Sequence, residues 1–257
     1  MLPALIFSLA LVLFAFEVYA PRWDARAQFD LDARSLRIAK NVMLAGINVV
    51  VAKGFMTVAA GAASLYALPW RPAWLTSGPQ ALAFDLILFD LWIYAWHRVV
   101  HAVPFTWRFH QVHHQDEIVD VTTAVRFHPG DILLSYLSRG TAAVVLAIPA
   151  YHAFLFEALT VAAAIFHHAN VRLPRTAERI LGLVLVTPAA HHVHHHPSRT
   201  IHDSNYGTIF SIWDRLFGTR VEGPSSEFTP GLDGRPDEGM LGLLVTPLRS
   251  GKRTARP

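Results

Sequence analysis

Apolar and polar positions along this chain do not alternate; they come in blocks. "LPALIFSLALVLFAFEVYA" (Leu2 to Ala20) is almost unbroken, and "VMLAGINVVVAKGFMTVAAGAASLYAL" (Val42 to Leu68) runs longer still around a single Lys53. "ALAFDLILFDLWIYAW" (Ala81 to Trp96) follows, then "ILLSYLSRGTAAVVLAIPAY" (Ile132 to Tyr151) and "AFLFEALTVAAAIF" (Ala153 to Phe166), the last two separated by hardly any polar residues. A helix needs roughly 20 mostly apolar residues to cross the hydrocarbon of a bilayer. The runs therefore predict an all-α, integral-membrane helical bundle of about four to five spans, the last two paired as a hairpin. "ILGLVLVT" (Ile180 to Thr187) is too short to span and is expected at the membrane interface. Residues 97–131 and 167–219 read as a histidine-rich helical cap, and 220–257 as a tail. No low-complexity linker divides the 257 residues, so a single domain over 1–257 is expected.

Composition agrees with the blocks, since 53% of residues are hydrophobic and only 16% charged, well on the apolar side of a soluble domain. Arg22, Arg26, Arg34, Arg37 and Lys40 crowd the first loop, whereas Arg71 stands alone between the second and third runs and the hairpin tip near Pro149 carries no lysine or arginine. Basic short loops stay on the cytoplasmic side, which puts every histidine cluster and the C-terminal segment there. The net charge of +3 follows from this topology and gives no reason to invoke nucleic acid. The first run ends in "VYA" like a secretory signal, but it lacks a basic leading segment and would place Pro21 after the cut; an uncleaved anchor is expected.

The absence of cysteine excludes disulfides, thiolate-bound zinc and iron–sulfur clusters within the chain, leaving nitrogen and oxygen ligands for any metal. There is no glycine-rich dinucleotide fingerprint and no phosphate loop. The chemistry is concentrated in histidine: twelve of fifteen lie in two windows, Trp96 to Asp131 and Ala190 to Asp203. "WHRVVH" sets His97 and His101 four apart on one helical face, "FHQVHH" supplies His110, His113 and His114, and "HHVHHH" repeats that pattern as His191, His194 and His195. These eight imidazoles are too many for one four-coordinate zinc and suit two ions, with iron, zinc and copper all accepting neutral imidazole.

The order His-x3-His, His-x2-His-His, His-x2-His-His, each box beside an apolar span, resembles the fatty acid hydroxylase and sterol desaturase superfamily of integral-membrane di-iron oxygenases. "RFHPGD" (Arg126 to Asp131), "FHHANVRLP" (Phe166 to Pro174), "DSNYGTIFSIWDRLFGT" (Asp203 to Thr219) and "GLDGRPDEGMLGLLVTPL" (Gly231 to Leu248) are similar to further segments of that family, so the resemblance covers most of the chain. It implies a membrane-bound oxidoreductase that uses O2 and two electrons to hydroxylate or desaturate a lipid C–H bond. It also implies two iron ions held by His97, His101, His110, His113, His114, His191, His194 and His195, with His128 and His168 as additions. Electrons would come from a separate ferredoxin or b-type cytochrome with its reductase. The lipid would enter from the bilayer, and the cytoplasmic arginines would dock an acidic donor.

Other readings attach to particular residues. His192 and His196 are expected on the solvent or headgroup side, and His152 and His202 at a surface or interface. "HPG" at His128 also resembles a haem-binding loop of small b-type cytochromes, though no separate domain surrounds it. Lys53 and Arg139 are expected to snorkel, while Asp85, Asp90 and Glu157 interrupt apolar runs where ionisable groups are functional candidates. Asp90 lies seven residues before His97, on the same helical face, as a carboxylate able to orient an imidazole; Asp116, Glu117, Asp120, Asp203 and Asp214 are similar candidates. Two rival classes are a histidine-rich metal transporter, which should carry ligands inside its spans, and a membrane zinc hydrolase, which lacks its His-Glu-x-x-His signature here. Acyl desaturases share similar boxes and are the nearest rival among enzymes.

Overall fold

A computed structural model describes residues 2–19, 21–22, 31–66, 71–222 and 228–249, and among these every regular element is helical. The first, α1 (Leu2–Tyr19), is apolar on every side and buries only Glu17, the arrangement of a helix facing lipid. Glu17 fastens the end of α1 by accepting the amides of Asn170 (2.7 Å) and Val121 (2.9 Å).

Helix α2 (Leu31–Tyr66) starts well before the second apolar run. The basic residues read as a free loop are therefore partly helical and engaged. Arg37 donates to Asp116, to Asp120 and to the Ile118 carbonyl, and Lys40 pairs with Asp237 at 2.5 Å. Burial of these two cations is tolerated only because each has a carboxylate partner. Arg26, Ala67 and Leu68 lie outside the described residues.

The third run becomes two helices, α3 (Gly78–Ala102) and α4 (Pro104–His114), meeting at 99°. Val103, just before Pro104, is extended (φ −88°, ψ 121°), because the proline ring clashes with a helical residue ahead of it. Thr106 then donates its hydroxyl toward the Val100 carbonyl (3.2 Å), which Pro104 has no N–H to meet, while the Val103 carbonyl accepts the Trp107 amide at 3.0 Å. The turn swings α4 across the end of the bundle.

α5 (Pro129–Val145) and α6 (Ala150–His168) form the expected hairpin around a turn in which Ala147 adopts φ 49°. Short helices follow: α7 (Arg175–Leu181), α8 (Pro188–His194), α9 (Arg199–His202), α10 (Ile212–Leu216) and α11 (Met240–Val245). Among the described residues three helices, Leu2–Tyr19, Asp32–Lys53 and Ala150–His168, are long and apolar enough to cross a membrane, or four if the bent α3–α4 pair is one span. The upper figure meets the lower end of the four to five expected. The fourth run ends in the turn before Pro149, leaving α5 at 17 residues.

Phe89, Ile93, Ala142, Ile148 and Phe156 fill the space between α3, α5 and α6, with the Phe89 and Phe156 rings stacked at 4.9 Å. α1 packs Leu9, Leu13 and Phe14 against Ile165 and Ala169 at the end of α6. Fully buried Arg126 ties three regions together, donating to the Val112 carbonyl (2.9 Å), Asn41 (2.9 Å) and Asp237 (2.6 Å). At the other end of the bundle Arg71 pairs with Asp85, which also bonds His152 Nδ1 at 2.6 Å. His152 is thus buried in a polar knot and not on a surface. The 180–184 segment keeps Ile180, Leu183 and Val184 exposed, as an interfacial stretch would.

Candidate metal centre

Helical spacing and the α3–α4 bend converge at one end of the bundle. α3 delivers His97 and His101, α4 delivers His110, His113 and His114, the last turn of α6 delivers His168, and α8 with its C-cap delivers His191, His194 and His195. Thr187 starts α8 by accepting the Ala190 amide, a side-chain cap for an orphan donor. The rings fall into two groups: His97, His101, His110, His114 and His194 in one, and His113, His168, His191 and His195 in the other. Within each group one ring nitrogen per residue lies within 4.8 Å of all the others. The groups adjoin, with the His114 and His195 rings stacked at 4.6 Å.

What the nitrogens do is more telling than how many there are. Nδ1 of His97 donates to the Tyr206 carbonyl (2.9 Å), that of His194 to the Ser204 carbonyl (2.7 Å), that of His113 to the Arg126 carbonyl (3.1 Å) and that of His168 to the Ala164 carbonyl (2.8 Å). His101 and His110 give theirs to Asp203 (3.2 Å) and Asp131 (2.9 Å). With Nδ1–H committed, a neutral ring presents Nε2 as a bare lone pair. Nε2 of His97, His101, His110 and His194 is buried with no partner, as are both nitrogens of His114 and His195. In the second group Nε2 of His168 sits 3.1 Å from Nε2 of His113 and 3.0 Å from Nε2 of His191. Two bare lone pairs facing each other at that distance repel, and a shared cation removes the conflict.

Burial, with neighbouring imidazoles adding to it, holds His191, His194 and His195 well below the ordinary imidazole range. They are neutral at physiological pH, the form that binds metal. A nine-nitrogen donor set in two groups, with orphaned lone pairs pointing inward and most of the opposite nitrogens anchored, fits a pair of borderline transition-metal ions.

Nine of the ten residues read as ligands are brought together, His168 among them. His128 is not. Its Nδ1 accepts the Gly130 amide (2.9 Å) as the N-cap of α5 and its Nε2 donates to the Leu244 carbonyl (3.1 Å), so both nitrogens are occupied. His192, expected toward solvent, is fully buried against the His168 carbonyl, and burial pushes it down to about 3. His202 is buried too, stacked on Trp107 and close to Asp203. His167 lies beside the second group with its Nδ1 on the Thr208 carbonyl (3.1 Å).

Asp90 does not touch an imidazole. It accepts the amides of Ile209 (3.1 Å) and Phe210 (3.0 Å) and the Trp213 indole (2.8 Å), while Asp214 accepts the amides of Tyr206 (2.7 Å) and Gly207 (2.8 Å). Together they fix the loop 203–210, which contacts His101, His194, His97 and His167 through Asp203, Ser204, Tyr206 and Thr208 in turn. Asp116 and Asp120 serve Arg37, and Glu117 accepts the Asp237 amide. Of the carboxylates that the sequence singles out, Asp203 orients a ring of the two groups; Asp131, which also does, escapes a reading by spacing. No helical spacing links it to His110, and backbone acceptors have no residue type to read.

Beside the histidines lies a cavity of about 380 Å³, in the range of small-ligand sites, walled mainly by apolar side chains of α2, α3, α5 and α6. His97 and His110 of the first group and His113, His168 and His191 of the second form part of its wall.

Residues 82–219, more than half of the chain and including all nine converging histidines, match the fatty acid hydroxylase family model. The chain belongs to the fatty acid hydroxylase family. An ornithine lipid hydroxylase of Rhizobium tropici is 29% identical over 242 residues, covering 91% of this chain and 71% of the relative. A cholesterol 25-hydroxylase-like protein of Danio rerio is 30% identical over 159 residues, 58% of this chain and 62% of the relative. The alkylglycerol monooxygenase of Homo sapiens is 32% identical over 155 residues, 60% of this chain, and the match spans only 32% of that protein. No solved structure matches the chain. With apolar helices of spanning length and relatives of this kind, the family member described here is a membrane protein.

Proposed function

We propose that this family member is a di-iron oxygenase that hydroxylates a C–H bond of a lipid, with the balance R–H + O2 + 2 e⁻ + 2 H⁺ → R–OH + H2O. The observation that carries the reading is the cavity wall: a mainly apolar chamber of about 380 Å³ with imidazoles from both histidine groups on one part of its wall. A hydrocarbon segment in that chamber lies against both groups at once. The two ions, held by His97, His101, His110, His114 and His194 and by His113, His168, His191 and His195, would supply O2 activation.

The rest is the work of the chain. Asp131 and Asp203 fix the tautomers of His110 and His101. The 203–210 loop, clamped by Asp90 and Asp214, fixes His97 and His194. Trp96, Val100, Phe127 and Ile132 line the chamber and exclude water from the reacting bond. A cytoplasmic orientation is supported by exposed Arg172, Arg175, Arg179, Arg215 and Arg220 at the histidine end, against Arg71 at the other. The chain has no cysteine and no dinucleotide fingerprint, so the electrons come from a separate ferredoxin or b-type cytochrome with its reductase.

The test is iron content of detergent-purified protein loaded anaerobically with ferrous iron, wild type beside His194→Ala, followed by oxygen exposure with a lipid panel and mass analysis. Two irons per chain, lost or halved in the variant, and an alcohol product carrying oxygen from O2 are expected. One ion or none, unaffected by the substitution, returns the hydrolase and transporter readings; an alkene product points to the desaturase.

A further inference from the structure

The cavity has a second end. Along α6 its wall is the stripe Glu157, Thr160, Val161, Ala164, His167 and His168, the three-and-four spacing of one helical face. The rise from Glu157 to His168 is about 16 Å. At the far end Arg139 of α5 bonds Glu157 at 3.0 Å, with side chains only 17% and 22% exposed, and its guanidinium lies over the Tyr136 ring at 5.5 Å. Arg139 was expected to snorkel; instead it turns inward and lines the cavity with its partner. Ionisable groups halfway along a membrane hairpin are costly and are kept for function.

Two further atoms sharpen this. Arg139 Nε and Thr160 Oγ1 are buried without a hydrogen-bond partner. A helical threonine commonly returns its hydroxyl to the carbonyl four residues earlier, as Thr141 does to Leu137 at 2.9 Å. Thr160, 7% exposed and on the cavity wall, does not.

We propose that this end of the cavity binds the hydroxyl group of a neutral lipid, so that the bond oxidised lies about 16 Å away, beside the histidines; the second half of this statement rests on the oxygenase reading. A hydroxyl donates to the Glu157 carboxylate and accepts from Arg139 Nε or Thr160, satisfying groups that an alkane leaves unpaired. The pair is neutral overall, and a carboxylate headgroup would bring like charge to Glu157 with no proton to donate.

The experiment is equilibrium binding of tritiated hexadecanol, hexadecane and hexadecanoate to the detergent-solubilised full chain, with product analysis on the same protein after iron loading. Hexadecanol is expected to bind at least about tenfold tighter than either other probe. Arg139→Met with Glu157→Leu replaces the pair by apolar side chains, a kind of exchange that folds tolerate. It should abolish the preference, bringing the alcohol's affinity to or below that of the alkane. Thr160→Val should weaken the alcohol alone. Equal binding of alcohol and alkane by wild type, or a preference that survives the double substitution, overturns the assignment. Oxygen inserted in the half of hexadecanol remote from its hydroxyl supports it, and insertion beside the hydroxyl overturns it. No insertion at all, with the binding preference intact, counts against the oxygenase and leaves the hydroxyl anchor standing.

Discussion

Asp131 offers the most direct test of how the histidine groups are organised. It sits in the first turn of α5, 5% exposed, and accepts from His110 Nδ1 at 2.9 Å. That bond places the His110 proton on Nδ1 and leaves Nε2 bare toward the first group, where it is buried without a partner. Asp131→Asn keeps an acceptor oxygen but loses the carboxylate charge, while Asp131→Leu leaves Nδ1–H unpaired and the tautomer free. Replacing such a partner of a metal-binding histidine typically lowers affinity by about 10–100-fold, or about 1.4–2.7 kcal/mol. Asn should fall near the low end and Leu at or beyond the high end. Ferrous-iron titration against a competing chelator, under anaerobic conditions, reads the constant for the first group, and thermal melting of the metal-free protein separates affinity from folding. If both variants bind iron as tightly as wild type, Asp131 does not set the tautomer of a metal-binding ring and the assignment of His110 falls with it.

Asp90→Asn leaves one oxygen for three donors and turns an amide N–H toward one of them; it should destabilise the protein by about 2–4 kcal/mol, and an unchanged melting temperature would refute the loop-clamp role. At Gly207 an added Cβ would meet the Phe210 carbonyl at 2.8 Å and Val186 Cγ2 at 2.9 Å. Gly207→Ala should therefore cost about 1–3 kcal/mol and, by shifting the Tyr206 carbonyl off His97, release iron preferentially from the first group; retained stoichiometry would argue against that coupling. The pH response follows from His191, His192, His194 and His195, held neutral by burial in the folded protein. The unfolded chain protonates near about 6.5 and the folded rings only far lower, so the unfolded state binds more protons below that pH. Metal-free protein should be at full stability above about pH 6.5 and lose about tenfold in its folded-to-unfolded ratio per pH unit per histidine below it. A melting temperature that holds or rises on acidification would contradict this.

How legible the protein is from sequence depends on which atoms do the work. Unbroken apolar runs expose α1 and α6, and helical spacing exposes the histidine faces of α3, α4 and α8, because it maps directly to position on a face. Pro104 marks a boundary, but the 99° turn that carries α4 over the bundle depends on how Val103 and Thr106 pack, which no local pattern encodes. His128 stands beside Pro129 in a segment rich in family likeness, yet it is a helix cap with both nitrogens taken. Asp90 stands out as an ionisable group in an apolar run, but its partners are not imidazoles; they lie more than a hundred residues away on a loop. Arg139 reads as a snorkelling cation because Glu157 faces it only once α5 and α6 form their hairpin.

The anchoring of the rings also bears on how freely this sequence can drift. Of the six Nδ1 bonds that orient histidines in the two groups, those of His97, His113, His168 and His194 end on main-chain carbonyls, and only those of His101 and His110 end on side chains. A carbonyl is present whatever residue occupies Tyr206, Arg126, Ala164 or Ser204, so substitution there cannot delete the acceptor; it can only move it. Mutational vulnerability therefore concentrates on Asp131 and Asp203 and on the carboxylates that hold the 203–210 loop in place. A neighbouring position that changes without moving the main chain leaves the histidines as they are, whereas one that shifts it, as at Gly207, retunes them.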